Sequence, residues 1–243
     1  MKIPKLWVSA EAPSQFPDGS AFTARAYGWS LGDVAEAKER AVAAARRLAE
    51  RGVVTRNNDG CLVLNTAGVM FVDVDSAGPG LFARLFGKAK ADDIPAPLTA
   101  WLAQNPRSLV RVYRTHSGWR YLMTHDLFEP TAASTRETLV ALGADPKYVE
   151  LTRIQESFRA RLSPKPWRLD AGLHSPSILY PRETPQADHQ MREWLAEYEP
   201  KAESFATTRF VAELGRGRSA SEADAVVQFH DKATRADSGL PLA

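Results

Sequence analysis

The chain has 243 residues, of which 44% are hydrophobic and 25% charged, with a net charge of +2 and one cysteine, Cys61. These are ordinary globular proportions, and they exclude a disordered chain, an internal disulfide and a cysteine-rich zinc site. No apolar run is long enough to span a bilayer and the N-terminus lacks the apolar core of a secretory signal, so the expectation is a soluble cytoplasmic protein without a membrane partner.

In chain order, "KLWVSAE" and "FTARAYGW" read as short strands. Ser30 opens a helix that Gly52 closes, with Leu31, Val34, Ala41, Ala45 and Leu48 as its buried stripe. "CLVLN" and "VMFVDVD" flank "TAG" and read as a strand pair joined by a tight turn. A helix at "LFARLFGKAK", the breakers Pro95 and Pro97, and a short helix at "LTAWLAQ" follow. "SLVRVYRT" and "WRYLMTH", joined by "HSG", form the clearest hairpin. A capping box at Ser134 and Glu137 starts the next helix and Gly143 ends it. Asp145-Pro146 starts another, with Leu151, Ile154 and Phe158 on one face. "LSPKPWRLD" is expected to be extended, because its prolines disfavour helix. From about Asp188 the pattern is helical, broken at Pro200 and "GRGRS".

The resulting expectation is an α+β fold with an antiparallel or mixed sheet and packed helices. Residues 1–171 would form the core, 172–187 a connector, and 188–243 a helical C-terminal extension packing on that core.

Asp73 and Asp75 end an otherwise apolar strand. Alternation puts them on one face, with Cα atoms roughly 6.5 Å apart at about 3.3 Å of rise per residue. Carboxylates so placed suit Mg²⁺ or Mn²⁺ shared with substrate phosphates. They equally suit capping of the following loop or pairing with nearby arginines.

Two further stretches are basic. The hairpin gathers Arg114, Thr115, His116, Ser117 and Arg120 around one turn, where arginine and backbone N–H groups suit an anion. "FRARLSPKPWR" places Arg159, Arg161, Lys165 and Arg168 on a proline-stiffened segment beside Trp167. These cations either face phosphate or form a structural strap paired with acids across the core. His230-Asp231 reads first as a pair on a helix surface and second as a functional pair.

Over about residues 60–170 these motifs resemble the archaeo-eukaryotic primase superfamily. "FVDVD" is similar to its strand-end D-x-D, "THSGWRYL" to its Ser-Gly hairpin, and "FRARLSPKPWRLD" to its distal basic and acidic portion. The resemblance implies an RRM-like palm and a third carboxylate, for which Asp170 is the first choice, with Asp145 and Asp126 behind it. It also implies catalytic and metal roles for Asp73, Asp75 and Asp170. Phosphate binding would fall to His116, Arg120, Arg159, Arg161, Lys165 and Arg168. Arg120 stands where the superfamily's triphosphate-binding histidine is expected. "FRARLSPKPWR" and "HDKATRADSGLPLA" also resemble bacterial proteins with no assigned activity.

Three functions are therefore expected in turn. The first is a metal-dependent, primase-like nucleotidyltransferase acting on nucleotide or nucleic acid. The second is a non-catalytic nucleotide- or nucleic-acid-binding module on the same scaffold. The third is an interaction module that uses Trp194, Tyr198, Phe205, Phe210 and Phe229 of its tail.

Overall fold

The computed structural model describes residues 14–15, 21–22, 52–57, 59–75, 94–176 and 184–243. The expected helix from Ser30 and the helix at "LFARLFGKAK" lie outside these residues, as does "KLWVSAE" and all of "FTARAYGW" after Phe22.

The fold is α+β. A two-residue ladder pairs β1 (Ser14–Gln15) with β2 (Ala21–Phe22). A three-stranded antiparallel sheet has the order β3 (Val53–Arg56), β4 (Leu62–Thr66), β8 (Phe158–Arg161). A four-stranded antiparallel sheet has the order β5 (Phe71–Asp75), β7 (Gly118–Met123), β6 (Leu109–Thr115), β9 (Thr208–Gly215). The helices are α1 (Ala96–Gln104), α2 (Ala133–Ala141), α3 (Pro146–Gln155), α4 (Pro166–Leu169), α5 (Pro185–Ala202) and α6 (Ser221–Thr234).

The β6–β7 hairpin forms as its alternation and Ser-Gly turn predict, and Thr115 Oγ1 accepts the Gly118 N–H at 3.0 Å across the turn. The strand pair expected across "TAG" does not form. β4 and β5 follow each other in sequence but join different sheets, β4 between β3 and β8 and β5 beside β7. Local turn chemistry cannot foresee this, because the partners of both strands lie far along the chain.

Other expectations are corrected in the same way. α2 starts at Ala133 with no side-chain cap, so Ser134 lies inside the helix. In α3 the Asp145 side chain accepts from Tyr148 N at 2.9 Å, as a cap should. Its buried positions, however, are Thr152 and Gln155; Ile154 is exposed and Phe158 belongs to β8. α4 begins at Pro166 within the segment expected to be extended. A proline at the first helical position loses no needed N–H and presets φ, so it starts this turn. Pro200 lies near the end of α5 without breaking it.

The C-terminal segment is not wholly helical. β9 pairs along β6 and completes the main sheet, with a register shift between Val112 and Tyr113. Glycine makes the end of this strand feasible. A Cβ at Gly215 (φ +108) would lie 2.1 Å from Ser108 O, the carbonyl that accepts the N–H groups of Arg216 and Gly217.

The main core joins the two sheets, α1, α2 and α6 through Leu64, Phe71, Val72, Leu98, Val110, Tyr121, Leu139 and Val226. A second cluster, Leu173, Met191, Trp194, Leu195, Tyr198 and Ala202, seats α5. Trp194 and Tyr198 stack at 4.7 Å, while Phe210 and Phe229 pack on the main core. Among the described residues no helix is long and apolar enough to cross a membrane.

Candidate anion-binding site

Cross-strand register builds the centre of the site. Asp73 stands opposite Arg120 and Asp75 opposite Gly118, so both aspartates share a face, as alternation predicts. With glycine across from it, Asp75 remains exposed. Asp73 instead meets a guanidinium: Arg120 Nε donates to Oδ1 at 2.7 Å and Nη2 to Oδ2 at 3.1 Å. This is the bidentate geometry for which arginine is suited.

Arg120 is 1% exposed and is the largest fully buried side chain among the described residues. Its Nη1 donates to Arg161 O at 2.8 Å and lies 3.4 Å from His230 Nε2. One side chain thus ties β5 and β7 of the four-stranded sheet to β8 of the three-stranded sheet. Tyr148 of α3 makes a second tie. Its hydroxyl donates to Phe71 O at 2.8 Å and accepts from Arg159 N at 3.2 Å.

His230 is fully buried, contrary to the surface pair expected. Its ring lies 5.3 Å from that of Phe71 and 4.8 Å from that of Tyr113. Nδ1 is 3.0 Å from Asp231 Oδ1, and Asp231 Oδ2 accepts from Arg111 at 2.7 Å. Burial, with repulsion from Arg120 added, lowers the His230 pKa. The neutral ring can donate to Asp231 through Nδ1 and accept from Arg120 through Nε2. Sequence reading missed this role because the contact between α6 and the sheet face is long-range.

Basic groups continue past the Arg120 clip. β8 buries Phe158 and Ala160 and leaves Arg159 and Arg161 half-buried on its other side. Arg159 Nη1 donates to Gln155 Oε1 at 2.9 Å, and burial lowers its pKa to about 10. Arg161 Nη1 donates to Ser163 O at 3.2 Å. Two carbonyl-centred bonds fix the following loop: Tyr198 Oη donates to Pro164 O at 2.6 Å, and Cys61 Sγ lies 3.3 Å from the same oxygen. Burial pushes the Cys61 thiol up to about 11, which leaves it protonated and structural at neutral pH.

That loop delivers Lys165 and Arg168. Arg168 Nη2 donates to Ser117 Oγ in the hairpin turn at 2.7 Å, and Ser117 Oγ is 3.2 Å from His116 Nδ1. Arg168 Nη1 is buried and has no hydrogen-bond partner among the described residues. The cations lower one another's pKa values on top of burial. Arg161 is lowered by burial and by Arg120, and Lys165 by burial and by Arg161 and Arg168. Arg168 is lowered by burial and by Arg161, while His116 is lowered by burial and by Arg168, Arg161 and Lys165. Among the described residues neither Arg161 nor Arg168 is in a salt bridge with a carboxylate.

The three expected carboxylates do not converge. Asp170 is exposed; it accepts from Lys201 at 2.9 Å and from Gly172 N at 3.0 Å. Asp145 caps α3, and Asp126 accepts from the next backbone N–H at 2.8 Å. No group of three or more His, Cys, Asp or Glu side chains suited to a metal ion occurs among the described residues. The donor set as arranged does not fit Mg²⁺ or Mn²⁺, since both Asp73 oxygens are held by a buried guanidinium and Asp170 is held by Lys201. Comparison with family models, curated proteins and solved structures returned no match for this chain.

Proposed function

We propose that this protein binds a phosphate-bearing ligand, a nucleotide or nucleic acid, through the basic face formed by His116, Arg161, Lys165 and Arg168. The observation that carries this reading is their grouping: Arg168 bonds Ser117 beside His116, Lys165 precedes it on the same fixed loop, and neither Arg161 nor Arg168 is in a salt bridge with a carboxylate among the described residues. Cations held near one another and partly out of water repel. A bound polyanion relieves that repulsion. The Arg120–Asp73 pair serves this face as scaffold, fixing β8 so that its arginine side chains leave on one side.

Fluorescence anisotropy of a labelled oligonucleotide tests the reading with Arg161→Gln/Arg168→Gln. Each charge-assisted contact contributes roughly 1.5–3 kcal/mol, so affinity falls by more than tenfold while the fold persists. Equal affinity of variant and parent overturns the assignment.

A metal-dependent nucleotidyltransferase is the second reading, favoured by one observation: Asp73 and Asp75 share a face at the strand end. It requires Arg120 to release Asp73. Under the binding-module reading no labelled nucleotide is incorporated with Mg²⁺ or Mn²⁺. Incorporation that disappears in Asp75→Asn would establish the enzyme instead.

A further inference from the structure

Among the described residues Trp167 is one of four large hydrophobic side chains that stay exposed, at 40%. It differs from Leu127, Val140 and Ile154 in its neighbours. Lys165 Nζ lies 5.2 Å from the centroid of its ring, and Arg168 follows it in α4. The backbone beneath is not free to fold the indole away. Tyr198 and Cys61 hold Pro164 O, Pro166 is buried, and Arg168 is anchored to Ser117. A rigid aromatic surface is thereby kept in water directly beside donors suited to phosphate.

Resting on the reading of this face as a phosphate site, we propose that Trp167 is a base-stacking platform and that the ligand is single-stranded nucleic acid. The chemistry separates strand from alternatives. A duplex buries its bases in its own stack, so an indole beside the phosphate donors gains nothing from it. A single strand presents phosphate and base together, and any base has a π-face to offer. The phosphate-binding groups also come from two elements, the β6–β7 turn with His116 and the stretch from the end of β8 onward with Arg161, Lys165 and Arg168. That spread suits successive phosphates of a strand. Lys165 then serves twice, as a cation near the indole and as a phosphate contact.

Binding of a fluorophore-labelled oligothymidylate of about 12 nucleotides, inside the roughly 4–16 that an OB fold covers, tests this. The parent, Trp167→Ala and Trp167→Phe are compared, with an abasic strand of equal length and a duplex as competitors. Loss of stacking on one base lowers affinity roughly 5- to 150-fold. The account expects that loss in Trp167→Ala, recovery of most of it in Trp167→Phe, and binding of the abasic strand that is insensitive to Trp167→Ala. Equal affinity of Trp167→Ala and parent for oligothymidylate, or competition by duplex as strong as by single strand, overturns the proposal. If Arg161→Gln/Arg168→Gln still weakens binding in that case, the phosphate site stands without the stacking platform. If the parent binds none of the three nucleic acids, the reading of the phosphate site as a nucleic-acid site fails as well and the proposal falls with it.

Discussion

Arg120 and Arg111, in the four-stranded sheet, differ from Arg161 and Arg168, which lie at and beyond the end of β8, in what neutralises them. Arg120 is matched by Asp73 at 2.7 Å and Arg111 by Asp231 at 2.7 Å. Arg161 and Arg168 donate to a carbonyl and a hydroxyl, neither of which carries charge. The first pair of arginines is complete within the fold; the second makes no salt bridge with a carboxylate among the described residues, and Asp73 and Asp75 act on Arg161 and Arg168 only from beyond ion-pair distance. Under the proposed function, this contrast separates architecture from binding in a region where sequence shows only a density of basic residues.

The contrast can be broken most directly at Asp73. If its carboxylate is the counter-charge of a buried arginine, Asp73→Asn strands that charge. Removing one partner of a buried pair costs about 3–5 kcal/mol. The lower end applies, because the Asp73 side chain keeps 35% exposure and water can partly replace it. A loss of about 3 kcal/mol corresponds to a fall in melting temperature of roughly 6–12 °C for a chain of this size. An open metal ligand would behave in the opposite sense, since neutralising one of two adjacent carboxylates relieves repulsion. An unchanged or raised melting temperature would therefore detach Asp73 from Arg120.

A smaller effect is expected at His230, which faces Arg120, Asp73 and Asp231 together with Phe71 and Tyr113. Its pKa in the folded state is lowered from 6.5, so below 6.5 the unfolded chain takes up a proton that the folded chain resists. Stability is full above that pH and declines as pH falls toward the folded-state value. Chemical denaturation at about pH 7.5 and 5.5 should show this decline in the parent. His230→Gln, which keeps an acceptor for Arg120 without titrating, should flatten it. An equally steep decline in the variant would assign the acid sensitivity to other groups.

The effect at His116 concerns affinity. Its pKa is lowered by burial and the neighbouring cations, and a bound phosphate raises it again. Affinity should therefore rise as pH falls below about 6.5, and His116→Asn should remove that rise. A pH profile shared by variant and parent would separate His116 from the ligand. The smallest effect is predicted for Asp170→Asn. Asp170 pairs with Lys201 in solvent, and exposed pairs contribute little, so neither melting temperature nor oligonucleotide affinity should change beyond error. A large loss of affinity would restore Asp170 to the site.

Much of this site was legible in the sequence. Alternation alone puts Asp73 and Asp75 on one face, and that placement is found. Pairing of the aspartates with arginine was one of the open readings, and Asp73 follows it. What could not be read is which cation pairs with which acid. Arg120 reaches Asp73 through the register of β5 against β7, and Asp170 meets Lys201 because α5 packs beside α4. His230 is drawn into the core by the same kind of distant contact. The joining of β4 and β5 to separate sheets and the return of β9 to pair with β6 likewise depend on partners far along the chain. Two local signals were misread: Pro166 starts a helix, as a proline at the first helical position can, and Ser134 sits inside one and does not cap it.

The central claim is that Arg161 and Arg168 hold charge for a polyanion while Arg120 does not. Its most direct test is the salt dependence of oligothymidylate affinity for the parent and for Arg161→Gln/Arg168→Gln. Each phosphate contact to a single strand adds about 0.7 to the slope of log affinity against log salt. Loss of two such contacts should flatten the slope by roughly 1.4 and leave the melting temperature within the roughly 2–4 °C that 1 kcal/mol represents. An unchanged slope, or a variant that melts as early as Asp73→Asn, would contradict the account.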